Sequence, residues 1–312
     1  MRTTVLSGVV FMTTNLENLI ARAERLLTKL ESTLLPASIE TDWTAIAWRY
    51  KSIQSHHVRS ASGYLLTVAH PHHIRLNDIC NVELQKAEIV RNTQQFVSGF
   101  PANNVLLTGA RGTGKSSLIK ALLTEFSDVG LRLVEVDKQD LVALPDIVAL
   151  LSVRPERFII YCDDLSFETS EPSYKALKVV LDGSISVASD NVLVYATSNR
   201  RHLMPETFAE NSETKYVGDE IRPGDTTEEK VSLSERFGVW LSFYPFDQDE
   251  YLNVAQQWLK YYGVIKLNEL TDEMRQAALM FSITRGARSG RVAYQFARDY
   301  AGRLSLAKAS NN

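Results

Sequence analysis

A glycine-rich segment, Gly109-Ala-Arg-Gly-Thr-Gly-Lys-Ser116, most constrains what this chain can fold into. It has the pattern G-x-x-x-x-G-K-S, follows the apolar run 105–107 directly, and precedes a helical pattern that begins near Ser117. Glycines let such a turn approach a ligand closely, and successive N–H groups with a helix N-terminus bind phosphate oxygens. The segment therefore predicts a strand, a phosphate-binding loop and a helix, in that order.

The residues of this loop are expected to bind the phosphates of a nucleotide and its metal ion. Lys115 is expected to reach the β- and γ-phosphates, and the Ser116 hydroxyl to ligate Mg²⁺. A glycine-rich turn that merely joins strand and helix is the alternative, which the strand-to-helix context disfavours. The predicted phosphate-binding residues are Gly109, Ala110, Arg111, Gly112, Thr113, Gly114, Lys115, Ser116 and Ser117.

Two carboxylates follow a second apolar strand, residues 158–162. Ligands of open parallel sheets bind at the carboxyl ends of the strands, so Asp163 is expected beside the loop as the metal-binding acid. Asp164, or Glu168 a short turn later, is expected to orient and deprotonate an attacking water. Alternatively, Asp164 caps a following helix. Cys162, inside the strand, is interpreted as a buried structural thiol.

Alternating strand and helix patterns predict an α/β core over residues 76–245. Short apolar runs typical of buried parallel strands occur at 105–107, 131–136, 158–162 and 192–196. Helical patterns occur between them at 118–126 and 174–181. Residues 206–230 are acidic and interrupted by glycine and proline, which indicates a long excursion or lid loop. After Pro245, helical patterns at 251–261, 272–281 and 289–304 predict a small helical lid domain, residues 246–312.

Residues 1–75 are predicted to form a mostly helical N-terminal segment that, by elimination, recognises a partner. An amphipathic pattern at 16–30, ended by Pro36, predicts a helix, whereas 52–78 has the composition of turns and short helix. His70, His72 and His73 either bind a metal ion or lie in a solvated turn. The turn is favoured, because adjacent loop histidines lack the frame that a metal site needs.

Composition excludes several other classes of protein. The chain has 312 residues and a formal net charge of -3, which argues against binding of phosphate backbones by bulk charge. Its two cysteines, Cys80 and Cys162, indicate neither a disulfide framework nor a zinc site. No run approaches the roughly 18 apolar residues of a spanning helix, and the apolar start is too weak for a signal peptide. A cytoplasmic protein without membrane association is therefore expected.

The motifs resemble those of the AAA+ ATPases and, more closely, of the DUF815 family of bacterial AAA+ proteins. The resemblance covers roughly residues 76–303, through the segments PANNVLLTGARGTGKSSLIKALL, FIIYCDDLSFE, NVLVYATSNRRHLMPE, EKVSLSERFG and ARSGRVAYQFA. It implies a three-layer αβα core, ATP with Mg²⁺ as cofactors, and a homo-oligomeric ring, expected to be a hexamer. Asn81 stands where the family usually has glycine, and asparagine tolerates left-handed backbone. The usual Asp-Glu pair is Asp163-Asp164 here.

The resemblance also implies roles for residues outside the loop. Asn199 resembles the sensor-1 residue that positions the attacking water, although a turn asparagine is the alternative. Arg236 resembles an arginine finger that acts on a neighbouring subunit, with a surface salt bridge to Glu235 or the acidic loop as the alternative. Arg291 resembles the sensor-2 arginine of the lid, and Arg288 is the second choice. Because Arg285, Arg288 and Arg291 recur at three-residue spacing, they are predicted to share one helix face, which could instead be a solvated basic face.

These patterns favour a Mg²⁺-dependent ATPase that remodels an unidentified protein partner. An ATP-gated binding switch with little turnover is an alternative, supported by the incomplete Asp-Glu pair. A small-molecule kinase would leave Asn199, Arg236 and Arg291 without a role. A DNA-associated, helicase-loader-like ATPase has no support from the net charge of -3 or from any aromatic–basic strand.

Overall fold

The computed structural model describes residues 40–53, 63–167, 171–182, 190–200, 233–266 and 269–310, together with residues 22, 25, 203, 215–217 and 220–222. Within these ranges the strands are β1 (Ala47–Ser52), β2 (Gly63–Thr67), β3 (Val105–Gly109), β4 (Leu131–Glu135), β5 (Arg157–Cys162), β6 (Val192–Ser198), β7 (Lys215–Val217), β8 (Glu220–Arg222) and β9 (Val239–Phe243). The α-helices given numbers below are α1 (Glu83–Val97), α2 (Lys115–Phe126), α3 (Leu144–Ser152), α4 (Pro172–Asp182), α5 (Gln248–Tyr261), α6 (Asp272–Arg285) and α7 (Gly290–Ser310).

Seven strands form one sheet in the order β2-β1-β4-β5-β6-β3-β9. All neighbours are parallel except β1 and β2, which pair antiparallel. The register places Thr108 of β3 opposite Ser198 of β6, and Cys162 of β5 opposite Ala196. The carboxyl ends of β3, β5 and β6 therefore meet at one edge of the sheet, where the loop and the two aspartates follow.

Helices cover both faces of the sheet, as continuous apolar strands require. On one face the sheet packs against Ile89 and Phe96 of α1 and against α2. On the other face it packs against α3 and α4. Side chains of β5 alternate between the two faces, so Ile159 and Tyr161 face α2. The next residue of that alternation is Asp163, which continues on the α2 side.

The C-terminal helices α5, α6 and α7 form a lid with its own core. Asp247 and Glu250 form a reciprocal capping box that begins α5, and the Thr271 side chain caps α6. The predicted three-layer α/β core, its parallel sheet and the helical C-terminal domain are confirmed. No helix among the described residues is both long enough and apolar enough to span a bilayer.

Three strands of the large sheet were not predicted. β9 extends the sheet beside β3, and β1 and β2 extend it at the opposite edge. Residues 63–67 lie in the stretch expected to form turns and short helix, and that expectation is wrong for β2. Its pairing with β1 and the pairing of β1 with β4 decide its structure, because strand formation depends on partners distant in sequence.

The arginine pattern before α7 is also corrected. Arg285 is the last residue of α6, Arg288 lies in the connection, and Arg291 belongs to α7, so the three do not share one helix face. Gly286, at φ 67°, terminates α6 between them.

Two other predicted segments lie mostly outside the described residues. Within 206–230, only the antiparallel pair β7 and β8 is described. Of the predicted helix at 16–30, only residues 22 and 25 are described, and both are helical and exposed.

Candidate phosphate-binding site

The glycine-rich loop joins β3 to α2, and Gly109 anchors it to the sheet. A Cβ at Gly109 would lie 1.9 Å from the Phe243 carbonyl oxygen, and φ at Gly109 is 122°. The Ala110 N–H donates to the same Phe243 oxygen at 3.0 Å. Only glycine permits this close approach of β9, so the first glycine of the motif fixes where the loop leaves the sheet.

Lys115, the first residue of α2, is buried beneath the loop. Its Nζ donates to the carbonyl oxygens of Gly109 at 2.8 Å and Ala110 at 2.6 Å, and to Asn199 Oδ1 at 3.2 Å. Desolvation lowers the pKa of Lys115 to about 8, although the charges of Asp164 and Asp163 oppose this shift. Burial removes the water that would stabilise the ammonium, and a phosphate anion beside it would stabilise the positive charge instead.

Ser116 and Asp163 form a close pair of oxygen donors. The Ser116 hydroxyl donates to Asp163 Oδ1 at 2.8 Å, and the Thr197 hydroxyl donates to the same oxygen at 2.6 Å. Partial desolvation by itself would raise the pKa of Asp163, but the hydrogen bonds from Thr197 and Ser116 lower it overall. The carboxylate is therefore held ionised, as a ligand of a divalent cation must be.

The Tyr161 hydroxyl, buried beside Ser116 and Asp163, supports the fit of this pair to Mg²⁺. Burial raises its pKa, and the hydroxyl lies close enough to the Ser116 and Asp163 side chains to interact with both. It forms no well-aligned hydrogen bond with any group in the described part of the chain. A metal ion of this kind keeps several waters when it binds between a protein and phosphates, and such waters would satisfy the hydroxyl. The oxygen chemistry of Ser116, Asp163 and Tyr161 thus suits Mg²⁺.

Asp164 is held in a strained geometry beside Asn199. Its φ is 51°, in the left-handed region, and its N–H donates to the Thr197 hydroxyl at 2.9 Å. Asn199 Nδ2 donates to Asp164 Oδ1 at 2.6 Å. Residues 165–167 are not helical, so Asp164 does not cap an immediately following helix. Glu168, the alternative carboxylate, lies outside the described residues.

Thr197, which connects both aspartates, was missed by the sequence reasoning. Its hydroxyl bonds Asp163 and the Asp164 N–H, and its carbonyl accepts from the Leu165 N–H at 2.7 Å. The available signal was a buried polar residue near the end of β6, the strand next to β5. A polar group at that position must find a partner, and the neighbouring strand end supplies it.

The lid contacts the loop through backbone atoms. The Gly290 N–H donates to the Gly112 carbonyl oxygen at 2.8 Å. A Cβ at Gly112, where φ is 76°, would lie 2.9 Å from the Ser289 side chain. Arg291 follows this contact and lines a groove with Ser117, whereas Arg288 lines a separate cavity of 680 Å³ with Arg111. Both candidate lid arginines therefore lie next to the loop, on different sides of the glycine contact.

A second contact joins the lid to the segment before α1. Asn81 has φ 63°, and its Nδ2 donates to the Glu250 carbonyl oxygen at 2.9 Å. The Cys80 thiol donates to Gln257 Oε1 at 2.7 Å. Asparagine thus adopts the left-handed backbone expected where the family usually has glycine, and it also bonds the lid.

Arg236 is half-buried and forms an ion pair with Asp182, the last residue of α4. Through Thr197, the structure brings Lys115, Ser116, Asp163, Asp164 and Asn199 into one hydrogen-bonded set. Arg236, by contrast, is paired on its own chain. Its partner Asp182 is a residue that the alternative interpretation of Arg236 does not name.

The histidines and cysteines contribute no further metal site among the described residues. No three His, Cys, Asp or Glu side chains there are arranged to hold a metal ion, and His70, His72 and His73 are exposed. Cys80 and Cys162 are free thiols. Burial raises the pKa of Cys162 to about 12, as expected for a structural thiol inside a strand.

Comparison with protein families identifies the family of the chain. A family model described as "Protein of unknown function (DUF815)" matches residues 49–304. The chain belongs to the DUF815 family. A search of curated proteins finds no match to this DUF815 chain.

Solved structures of two organisms share the fold of the DUF815 chain. The Thermotoga maritima RuvB Holliday junction branch migration motor is 18% identical, with a TM-score of 0.50 over 75% of this chain and 66% of that chain. The Aeropyrum pernix Orc1 protein, solved in complex with DNA, is 16% identical, with a TM-score of 0.51 over 74% and 62%. The chain thus spans slightly less than two thirds of each of these chains. The likeness shows that the DUF815 chain has the AAA+ fold.

Proposed function

We propose that this DUF815 protein is a Mg²⁺-dependent AAA+ ATPase that uses ATP hydrolysis to remodel a protein partner. The supporting observation is the hydrogen-bonded set Lys115, Ser116, Asp163, Asp164 and Asn199, joined through Thr197 at the carboxyl ends of three adjacent parallel strands beside the loop. This set contains a cation for phosphate, oxygen ligands for a metal ion, and a carboxylate and an amide for water. These are the groups that phosphoryl transfer to water requires.

Each residue of the set has a proposed task. Lys115 binds the β- and γ-phosphates, and the loop N–H groups from Gly109 to Ser117 surround the phosphate chain. Ser116 and Asp163 would hold Mg²⁺, which when bound neutralises negative charge on phosphate oxygens. Asn199 orients the attacking water, and the Asp164 carboxylate accepts its proton. Arg291, or Arg288 on the other side of the glycine contact, binds the nucleotide from the lid and so couples the lid position to the nucleotide state.

Assembly into a homo-oligomeric ring, which we propose to be a hexamer, would complete the site. In the ring, Arg236 of a neighbouring subunit would stabilise charge on the transferred phosphoryl oxygens. Its ion pair with Asp182 would have to open on assembly, since a paired guanidinium cannot bind phosphate with the same donors.

The proposed domains are a partner-recognising segment, residues 1–75, the nucleotide-binding core, residues 76–245, and the lid, residues 246–312. β1 and β2 belong structurally to the core sheet, which confines partner recognition within 1–75 to the remaining residues.

Substitution of the carboxylates tests the proposed hydrolysis. Asp164→Asn should retain ATP binding and lose about 10²–10⁴-fold in turnover, because it removes the proton acceptor. Asp163→Asn should also weaken Mg²⁺-dependent binding. Asp249→Asn, an exposed change on the lid, is the matched control. Phosphate release and binding of a fluorescent ATP analogue are the measurements.

The same series separates the two candidate carboxylates. If Glu168→Gln abolishes phosphate release while Asp164→Asn does not, the proton acceptor is Glu168. If the assembled protein binds ATP and releases no phosphate, hydrolysis is not its function.

An ATP-gated switch with little turnover is the second candidate. The aspartate at position 164 is one methylene shorter than the usual glutamate, and its carboxylate is already bonded to Asn199. A shorter carboxylate that is already hydrogen-bonded to Asn199 would activate the attacking water poorly, so the protein would bind ATP and hydrolyse it slowly. Under this function, Asp164→Glu should raise the rate of phosphate release above that of the natural protein.

A further inference from the structure

Positive charge is concentrated at the C-terminal end of this chain. The segment 285–310 contains one acidic residue, Asp299, and six basic residues, Arg285, Arg288, Arg291, Arg298, Arg303 and Lys308. Its formal charge is therefore +5 in a chain whose net charge is -3, which leaves -8 for the rest. A segment of one sign within a chain of the other sign indicates a partner of opposite charge.

The structure places part of this charge along one groove. Arg291, Arg298 and Arg303 of α7 line a groove of about 1220 Å³, with His72 and Ser117 on its opposite side. All three arginines are exposed, and Asp299 is paired with Arg303 at 2.9 Å. Residues 291–306 of a helix extend over about 22 Å, so the groove is long enough for an extended polyanion rather than for a single phosphate.

One aromatic ring, Tyr294 of α7, lines the groove, and a row of rings continues from it onto α5. Tyr294, which lines it, packs edge-on against Trp258 of α5, with ring centroids 4.8 Å apart. Trp258 in turn packs against Tyr261 at 5.5 Å, and Tyr261 against Tyr262 at 5.3 Å. Tyr261 is nevertheless 75% exposed. A ring held by its neighbours and open to solvent provides a face for stacking at little cost in side-chain entropy.

We propose that this surface, formed by Tyr261, Tyr294, Arg291, Arg298 and Arg303 and termed the α7 surface, binds single-stranded nucleic acid. Arginines along a groove suit a phosphate backbone. The partly exposed Tyr294 among them, and the exposed Tyr261 at the end of the row of rings, suit unpaired bases, which stack on aromatic faces. A duplex keeps its bases stacked on each other, and an acidic peptide has no bases. The aromatic rings would therefore have no role with either of those partners.

The α7 surface could not be recognised from the sequence pattern. Its aromatic residues come from α5 and α7, which are separated by α6, and the net charge of the whole chain conceals the basic segment. The proposal does not depend on ATP hydrolysis. Arg291 also belongs to the proposed nucleotide site, so it is left unchanged in the test.

The test measures fluorescence anisotropy of labelled oligothymidine, about 20 nucleotides long, with the full chain and without nucleotide. Arg298→Ala should weaken binding and make the slope of log affinity against log salt shallower by about 0.7, the contribution of one phosphate contact to a single strand. Tyr261→Ala should weaken binding about fivefold or more with the slope unchanged, because stacking involves no counterion release. The matched controls are Arg275→Ala, an exposed arginine of α6, and Phe100→Ala, an exposed ring of the core.

Each other outcome would overturn the proposal. Absence of oligothymidine binding at about 50 mM salt would reject a nucleic-acid surface altogether. Equal or tighter binding of a duplex of the same length would reject the single-strand assignment. Equal competition by polyglutamate would indicate an acidic protein as the partner. Equal effects of the control and test variants would place any binding elsewhere, and circular dichroism of every variant verifies that it is folded.

Discussion

The lid and the edge of the core sheet where β3, β5 and β6 end, here termed the core edge, contact the phosphate-binding loop in different ways. At the core edge, side chains from three elements are joined directly, with Ser116 and Thr197 both bonded to Asp163, and Asn199 bonded to Lys115 and Asp164. The lid instead meets the loop through one backbone hydrogen bond, from Gly290 to Gly112. The difference teaches that the side chains of the candidate site are held together within the core, so a change in lid position would not by itself break that arrangement.

The largest expected effect tests whether the core edge is complete within one subunit. Arg236→Ala should reduce ATP turnover by about 10³–10⁵-fold, the effect of removing an arginine that stabilises the transferred phosphoryl group. If the residue acts between subunits, mixing Arg236→Ala with Lys115→Ala protein should restore part of the activity. Some interfaces would then join an intact loop to an intact arginine.

Co-assembly of the two variants, measured by light scattering, is the control for this mixture. Full activity of Arg236→Ala alone would show that the core edge needs no neighbour. Failure of the co-assembled mixture to recover activity would reject action in trans.

Two glycine variants separate the core contact from the lid contact. Gly109→Ala should destabilise the protein by about 3 kcal/mol or more, because its Cβ would overlap the Phe243 carbonyl at a positive φ. Gly112→Ala should cost about 1–2 kcal/mol, because its Cβ meets the Ser289 side chain, which can shift. Thermal unfolding compares the stabilities of the two variants. Gly112→Ala should lose more free energy of nucleotide binding than free energy of unfolding. Equal losses of stability would contradict an adjustable lid contact.

A pH series tests the buried cation of the core edge. Because the pKa of Lys115 is about 8 in the ligand-free protein, its ammonium form predominates below that pH and is lost as pH rises through it. Phosphate binding requires the ammonium, so ATP affinity should fall about tenfold between about pH 7 and pH 9. Titration calorimetry measures this fall. Lys115→Arg keeps its charge across the range, so whatever affinity it retains should not vary, and a flat profile for the natural protein would contradict the assignment.

The smallest expected effect concerns Tyr161, beneath the Ser116–Asp163 pair. Tyr161→Phe should raise the stability of the ligand-free protein by about 1 kcal/mol, because the buried hydroxyl, although close to Ser116 and Asp163, forms no well-aligned hydrogen bond among the described residues. The same change should weaken Mg²⁺-dependent ATP binding about threefold, because the hydroxyl would bond a metal-bound water. In the absence of Mg²⁺ and ATP, the melting temperature of the variant should therefore exceed that of the natural protein. Addition of Mg²⁺ and ATP should raise it by less than it raises that of the natural protein. A lower melting temperature without ligand would show that the hydroxyl is already satisfied.

Local patterns determined the central part of this protein. The order of β3, loop and α2, the aspartates after β5, and the three lid helices were predictable because each depends on neighbouring residues: glycines at a turn, continuous apolar strands and helical periodicity. Capping residues and glycines then set the ends of the helices. The resemblance to the DUF815 family likewise depended on short continuous segments, and it predicted roles for Asn199, Arg236 and Arg291.

Tertiary structure decided what depends on residues far apart in the chain. β1, β2 and β9 join the sheet through distant partners, and Thr197 serves the two aspartates only because β6 lies beside β5. The contact of Gly290 with Gly112 and the packing of Trp258 of α5 against Tyr294 of α7 likewise require the lid to be folded and docked. Strand pairing and helix packing are cooperative and non-local, so no window of sequence contains the information that selects these neighbours.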